Sequence, residues 1–199
     1  MARRKVEVRR EEILAATEAE VTRRGFARTR VGDVADALGV STALVFYHFG
    51  TKEKLFAEAL EHAVRRDMAR LDRVVERTTD PVDGVRRMLR LWAPEGSANG
   101  WTVWVDAWSE SLREPEMRAM SRRLDVRWKD VLAEMIRRGN DNGTFRCPDP
   151  DSAAWRLSAL LDGLAVQVTV HRNLTKKQLA EWVRGAAAHE LGVDPALLA

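Results

Sequence analysis

Two sets of side chains in this 199-residue chain have the type and spacing to do chemistry, and neither is the set of an enzyme. The first is Thr29 and Arg30, then Ser41, Thr42, Ala43 and Leu44, then Phe46, Tyr47 and His48, with Lys52 just beyond. Hydroxyls and small apolar groups on one ridge suit base edges and thymine methyls, while cations and unpaired backbone N–H groups suit phosphate. The second is Trp101, Trp104 and Trp108 at i, i+3 and i+7, with Val105 and Leu112 on the same side, so that three indoles line one stripe. Core packing accounts for such a stripe, and so does a pocket whose ring faces attract a cation. Catalysis would need a nucleophile beside a base, or a clustered ligand set. His48, His62, His171 and His189 stand far apart with no HxxxH, HExxH or CxxC neighbourhood, and Cys147 is the single cysteine. No catalytic residue, metal site or cofactor is therefore expected. A lone thiol beside Pro148 also excludes an internal disulfide and fits a reducing cytoplasm.

The elements that must hold these residues read as helices almost throughout. Ile13, Leu14, Ala16 and Val21 fall on one arc of a first helix that stops at Gly25. Thr29 is placed to cap a helix with Val31, Val34, Ala35 and Leu38 inward, and Gly39 breaks it where a tight turn needs a positive φ. Ser41 caps a second short helix with Val45 and Phe49 inward. Ala43 and Tyr47 then lie about 160° from Val45 at helical spacing, on an exposed ridge flanked by Thr42, Leu44 and Phe46. Thr51 caps a long helix to about Arg77, with Lys52 in its first turn. Asp80 and Pro81 open another that ends near Glu95 and Gly96. Further helices span about 99 to 113 and 115 to 138, the latter closed by Gly139, and a surface loop runs from Gly139 to Asp149. Asp149 and Pro150 open a helix to about Asn173, and Thr175 and Gln178 form a capping box for the last, ending near Leu191 and Gly192. The expected fold is all-α, with about nine helices and no repeat.

Charge divides this layout in two. Residues 1 to 56 hold 11 Lys+Arg against 8 Asp+Glu, which is the whole net charge of +3, and all seven tryptophans lie beyond residue 90. Residues 1–50 are expected to form a basic helix-turn-helix module and residues 51–199 a larger neutral domain, with 51–77 as the connecting helix. The run MARRKVEVRR has no apolar segment behind it, which argues against a secretory leader and leaves two readings, a solvated start or an arm that tracks DNA. No stretch is apolar enough to span a membrane, so a cytoplasmic protein is expected.

The stretch TRVGDVADALGVSTALVFYHFGTKEKLF, residues 29 to 56, resembles the signature of TetR-family transcriptional regulators. The matching positions are Ala35, Gly39, Val40, Ser41, Val45, Tyr47, His48, Phe49, Lys52, Glu53 and Leu55. Phe46 stands where the family usually has tyrosine, and Ala43 where glycine or proline is common. The resemblance implies an all-helical homodimer with an N-terminal three-helix DNA-binding domain and a C-terminal domain that binds a small molecule. It implies dimerisation through the last two long helices.

The run WTVWVDAW, residues 101 to 108, is similar to a TetR subgroup that includes choline-sensing regulators of betaine synthesis. Asp106 and Glu110 lie about 200° from Trp104 and Trp108, so the acid of a cationic site must come from elsewhere, and Asp162 is the candidate. The proposed effector-site residues are Met88, Trp92, Trp101, Trp104, Trp108, Trp128, Asp162 and Gln167. The small residues among leucines near the C-terminus fit either intramolecular core or a dimer face, the latter expected to be Leu157, Leu160, Leu161, Leu164, Trp182, Val183 and Ala186. The function expected is a dimeric repressor on a pseudo-palindromic operator in double-stranded DNA, released by a cationic or aromatic small molecule. A constitutive regulator without an effector is the alternative.

Overall fold

The computed structural model describes the backbone of residues 2–93 and 99–199. Among these residues lie nine α-helices and no strand: α1 (Ala2–Arg24), α2 (Val31–Leu38), α3 (Thr42–Phe49), α4 (Lys52–Arg77), α5 (Pro81–Trp92), α6 (Asn99–Ser111), α7 (Pro115–Asp141), α8 (Pro150–Val166) and α9 (Lys176–Leu191). A π-helical turn, Gln167–His171, extends α8, and a 3-10 turn, Pro195–Leu198, follows α9. The expected end of α5 near Glu95 and Gly96 lies outside the described residues. The chain forms two compact units, Met1–Arg65 with Asn99–Leu124, and Arg66–Ala98 with Asp125–Ala199.

In the first unit, α1 buries Ile13, Leu14 and Val21, α2 buries Val31, Val34 and Ala35, and α3 buries Val45 and Phe49, as their spacing dictates. Phe26 packs against Phe56 of α4 with ring centres 5.8 Å apart. The start of α2 differs from expectation. Arg30 occupies the cap position, its backbone N–H donates to the Asp33 carboxylate at 2.8 Å, and the Thr29 hydroxyl turns back to donate to the Gly25 carbonyl at 2.7 Å. Thr29 is consequently buried within the turn rather than capping from outside it.

In the second unit, Val85 and Met88 of α5, Leu132, Met135 and Ile136 of α7, Leu157 and Leu161 of α8 and Leu179, Val183 and Leu191 of α9 are buried core residues. Here Gly139 does not end α7. The helix continues to Asp141, and the missing Cβ of Gly139 leaves room for the Phe145 ring, which would stand 1.9 Å from a Cβ at that position. The segment after α7 runs over the surface as expected, with residues 141–144, 146, 148 and 149 exposed, but two of its side chains anchor it inward. Phe145 and Cys147 are buried, and the Asn140 amide donates to the Cys147 carbonyl at 2.7 Å and accepts from its N–H at 3.0 Å. Burial pushes the Cys147 thiol up from its ordinary value, which keeps it protonated and inert.

Candidate functional site

The exposed ridge of α3 is built by the turn that precedes it. Gly39 takes a left-handed conformation, φ 63°, and the Ser41 hydroxyl accepts from the Leu44 N–H at 3.3 Å to start the helix. Val45 and Phe49 pin the inner face, so Thr42, Ala43, Phe46 and Tyr47 turn outward, with Tyr47 78% exposed. Leu44 and His48 are half-buried on the flanks, and the His48 and Tyr47 rings meet edge to face at 5.5 Å. Ser41 and Arg30 are exposed near this ridge in sequence, whereas the buried Thr29 side chain is withdrawn from solvent. The Lys52 ammonium lies 5.0 Å from the centre of the Phe56 ring.

The part of the basic N-terminal run whose side chains are described is tied down. Arg10 stacks over Phe49 at 4.6 Å and pairs with Glu58, and Arg9 pairs with Glu12 at 2.5 Å. The side chains of Arg3, Arg4 and Lys5, on which a DNA-tracking arm would depend, lie outside the described residues.

The tryptophans fall into one cluster per unit. In the first unit Trp101 and Trp108 stack edge to face at 5.9 Å and Trp104 tilts against Trp108 at 6.2 Å, giving the stripe that helical spacing anticipates. Asp106, on the other side of α6, accepts the Phe26 backbone N–H at 2.5 Å. No spacing signal in the sequence reveals that contact.

In the second unit Trp92 and Trp128 face one another at 5.2 Å with a 36° tilt, and Met88 is fully buried one turn before Trp92. Asp162 accepts a hydrogen bond from the Trp92 indole; burial foremost, then the neighbouring Asp125, push its carboxyl up to about 7, while Lys129 and the indole pull the other way. Asp125, Lys129 and Trp155 join this cluster although sequence reasoning passed over them. Their i, i+4 spacing on α7 was the available signal for the first two. Ser158, one turn before Asp162, is fully buried and its hydroxyl makes no hydrogen bond. Gln167 opens the π-helical turn, about 140° round from Asp162 at helical spacing, and so leaves the Asp162 stripe.

A family profile described as "Bacterial regulatory proteins, tetR family" matches residues 13–59, and one described as "BetI-type transcriptional repressor, C-terminal" matches residues 81–192. The chain belongs to the TetR family. The HTH-type transcriptional regulator BetI of Stenotrophomonas maltophilia is similar at 29% identity over 160 residues, 79% of either chain. That of Burkholderia mallei is 27% identical over 190 residues, 92% of this chain and 85% of its own. Among solved structures, a transcriptional regulator from Saccharomonospora viridis in complex with choline is 32% identical with a TM-score of 0.82, covering 93% of this chain and 98% of its own. A TetR-family regulator from Rhodococcus is 25% identical with a TM-score of 0.74, over 96% and 98%. This TetR-family chain is thus a DNA-binding transcriptional regulator with a BetI-type C-terminal domain, and not an enzyme.

The TetR-family chain also carries an apolar surface on its last helices, and burial redraws the face expected there. Leu157, Leu161, Leu164 and Val183 are buried within the subunit, because their sides of α8 and α9 form its core. Leu160 at 36% and Trp182 at 49% exposure point outward, with Ala159, Gly163 and Gly185 exposed and Ala186 half-buried beside them. No described helix is long and apolar enough to cross a membrane.

Proposed function

We propose that the protein is a dimeric repressor released from its operator by a quaternary ammonium ligand of the choline class. The observation that carries the effector reading is Asp162. A half-buried carboxylate, bonded to an indole and set beside the paired rings of Trp92 and Trp128, offers charge and π faces to one cation. The BetI-type match over these residues and the choline bound by the Saccharomonospora viridis regulator support the same ligand class. Trp101, Trp104 and Trp108 enter the proposal as aromatic surface without a free acid, since Asp106 is bonded to Phe26.

On the DNA side, α3 enters the major groove with Thr42, Ala43, Phe46 and Tyr47 toward the bases. Ser41, Leu44 and His48 flank them, and Arg30 and Lys52 face the phosphates. Thr29 supports the turn from inside. The dimer forms through Leu160, Trp182 and Ala186 with the small residues around them. It sets two α3 helices about 34 Å apart on a pseudo-palindromic site. Ligand binding changes that spacing through α4, with a coupling of roughly 1–3 kcal/mol.

The test is selection of bound fragments from a genomic pool, followed by titration of the complex with choline. Release of the fragment, with a shift in tryptophan emission, is the expected result. DNA binding indifferent to choline and to other quaternary ammonium compounds would instead identify a constitutive regulator.

A further inference from the structure

The second unit buries an ammonium that the function proposed above does not use. The Lys129 side chain is 7% exposed, a state lysine reaches only when its charge is matched. Its ammonium pairs with Asp125, one turn earlier on α7, and lies 4.4 Å from the centre of the Trp155 ring. Asp162 takes its hydrogen bond from Trp92 instead. Once Asp162 is ionised, two carboxylates and one ammonium leave this cluster one negative charge in excess, and the excess resides at Asp162, next to the paired Trp92 and Trp128 rings. The unpaired, fully buried hydroxyl of Ser158 on the same side of α8 is a second polar group that the subunit itself leaves unused.

Resting on the effector reading above, we infer that Asp125 is a positioning residue that holds the Lys129 ammonium away from Asp162, so that the site keeps one uncompensated carboxylate and selects a monocation over a zwitterion. Lysine carries its point charge on a flexible four-carbon stem. In a poorly solvated cluster an ammonium deprived of one carboxylate moves to the next, because an unpaired buried charge is strongly unfavourable. Asp125 and Lys129 therefore act on ligand choice without touching the ligand. A zwitterion such as glycine betaine would bring its own carboxylate against Asp125 and Asp162.

The full-length protein, read by tryptophan emission, is titrated with choline, tetramethylammonium and glycine betaine. The wild type is expected to bind both cations at least about tenfold more tightly than glycine betaine, and Asp125→Asn to lose about tenfold or more in choline affinity as Lys129 neutralises Asp162. Removing the released ammonium in Asp125→Asn/Lys129→Met should restore choline affinity to within about threefold of wild type, and Lys129→Met alone should retain it. A double variant no better than Asp125→Asn, or loss of binding in Lys129→Met, overturns the inference. A ligand-free readout separates it from the effector reading: carbon NMR titration of the Asp162 carboxyl. In Asp125→Asn that carboxyl should fall from near neutrality to the ordinary range or below, whereas a value still raised by burial would overturn the role given to Lys129. A wild type that binds neither cation, with the carboxyl behaving as stated, would sink the effector reading and leave the placement of Lys129 standing.

Discussion

The carboxylate of Asp106 on α6 accepts the backbone N–H of Phe26 at 2.5 Å, joining positions 80 apart in sequence. Phe26 follows Gly25, whose φ of +82° belongs to the left-handed region, and a Cβ on Gly25 would stand 3.1 Å from the same carboxylate. The turn that feeds the helix-turn-helix therefore rests on the helix that carries the Trp101 stripe. Replacing Asp106 by Ala strands a part-buried N–H, and unfolding in urea should report a loss of about 1.5–3 kcal/mol. Asp106→Asn, which keeps an acceptor oxygen, should lose less. Gly25→Ala should cost about 1–2 kcal/mol for its left-handed backbone alone.

Tyr47 and Thr29 should respond in opposite ways. Tyr47 is exposed, so Tyr47→Ala should leave the melting temperature nearly unchanged while weakening operator binding about tenfold or more, the loss of a good contact. Thr29→Val removes a buried hydrogen bond to the Gly25 carbonyl and should cost about 0.5–1.5 kcal/mol of stability with operator affinity retained. Fluorescence anisotropy on the selected operator, beside thermal melts, checks both. Wild-type affinity in Tyr47→Ala would take α3 out of the groove.

These two residues also show what the sequence could and could not reveal. Periodicity over Val31, Val34 and Ala35 and over Val45 and Phe49 was enough to orient α2 and α3, because a short amphipathic helix has one way to bury its stripe. Thr29 misled because its hydroxyl had two acceptable uses, as a cap or as a bond back to Gly25, and only the packing of the turn selects between them. The same limit applies on the last helices. Alternating leucines and small residues mark α8 and α9 as buried, but one side meets the subunit's own core and takes Leu157, Leu161 and Val183 with it. For the proposed effector cluster, the sequence pointed to Trp92, Trp128 and Asp162. The pairing of Lys129 with Asp125 was passed over, although their i, i+4 spacing on α7 was there to be read; what spacing could not reveal is that Lys129 is buried there beside Trp155.

Gly139 supplies a test of close packing. Gly139→Ala drives a methyl into the Phe145 ring, and the ring cannot retreat without leaving the core. The expected cost is about 1–3 kcal/mol, the usual penalty of overpacking, read as a lowered urea midpoint. A neutral Gly139→Ala would mean that Phe145 does not lie over α7.

Asp162 gives the ligand-free protein a pH signature. Its carboxyl is raised to about 7 in the folded chain, so between the ordinary aspartate value of 3.8 and about 7 the folded state holds a proton that the unfolded state releases. Stability should therefore decline as pH rises through that window, and Asp162→Asn should flatten the decline. Choline binding should run the other way, strengthening from pH 6 to about 8 as the carboxylate forms, with proton release on binding measurable by calorimetry in two buffers. Affinity independent of pH over this range would separate Asp162 from the ligand.

Leu160 and Trp182 are outward apolar groups, and the proposed dimer depends on them. Leu160→Glu with Trp182→Glu should yield a folded monomer by light scattering at micromolar concentration, with wild-type helical content. An intact dimer in that variant would place the interface elsewhere.

The arginines of α1 whose side chains are described are paired within the protein: Arg9 with Glu12, Arg10 with Glu58, Arg23 with Glu20, and Arg24 with Glu20 and Asp33. A cation neutralised by its own protein displaces few counterions from a duplex, and displaced counterions are what make random DNA sticky. These four arginines should therefore add little to the protein's hold on unrelated sequence, and its attraction to phosphate falls to cations such as Arg30 and Lys52.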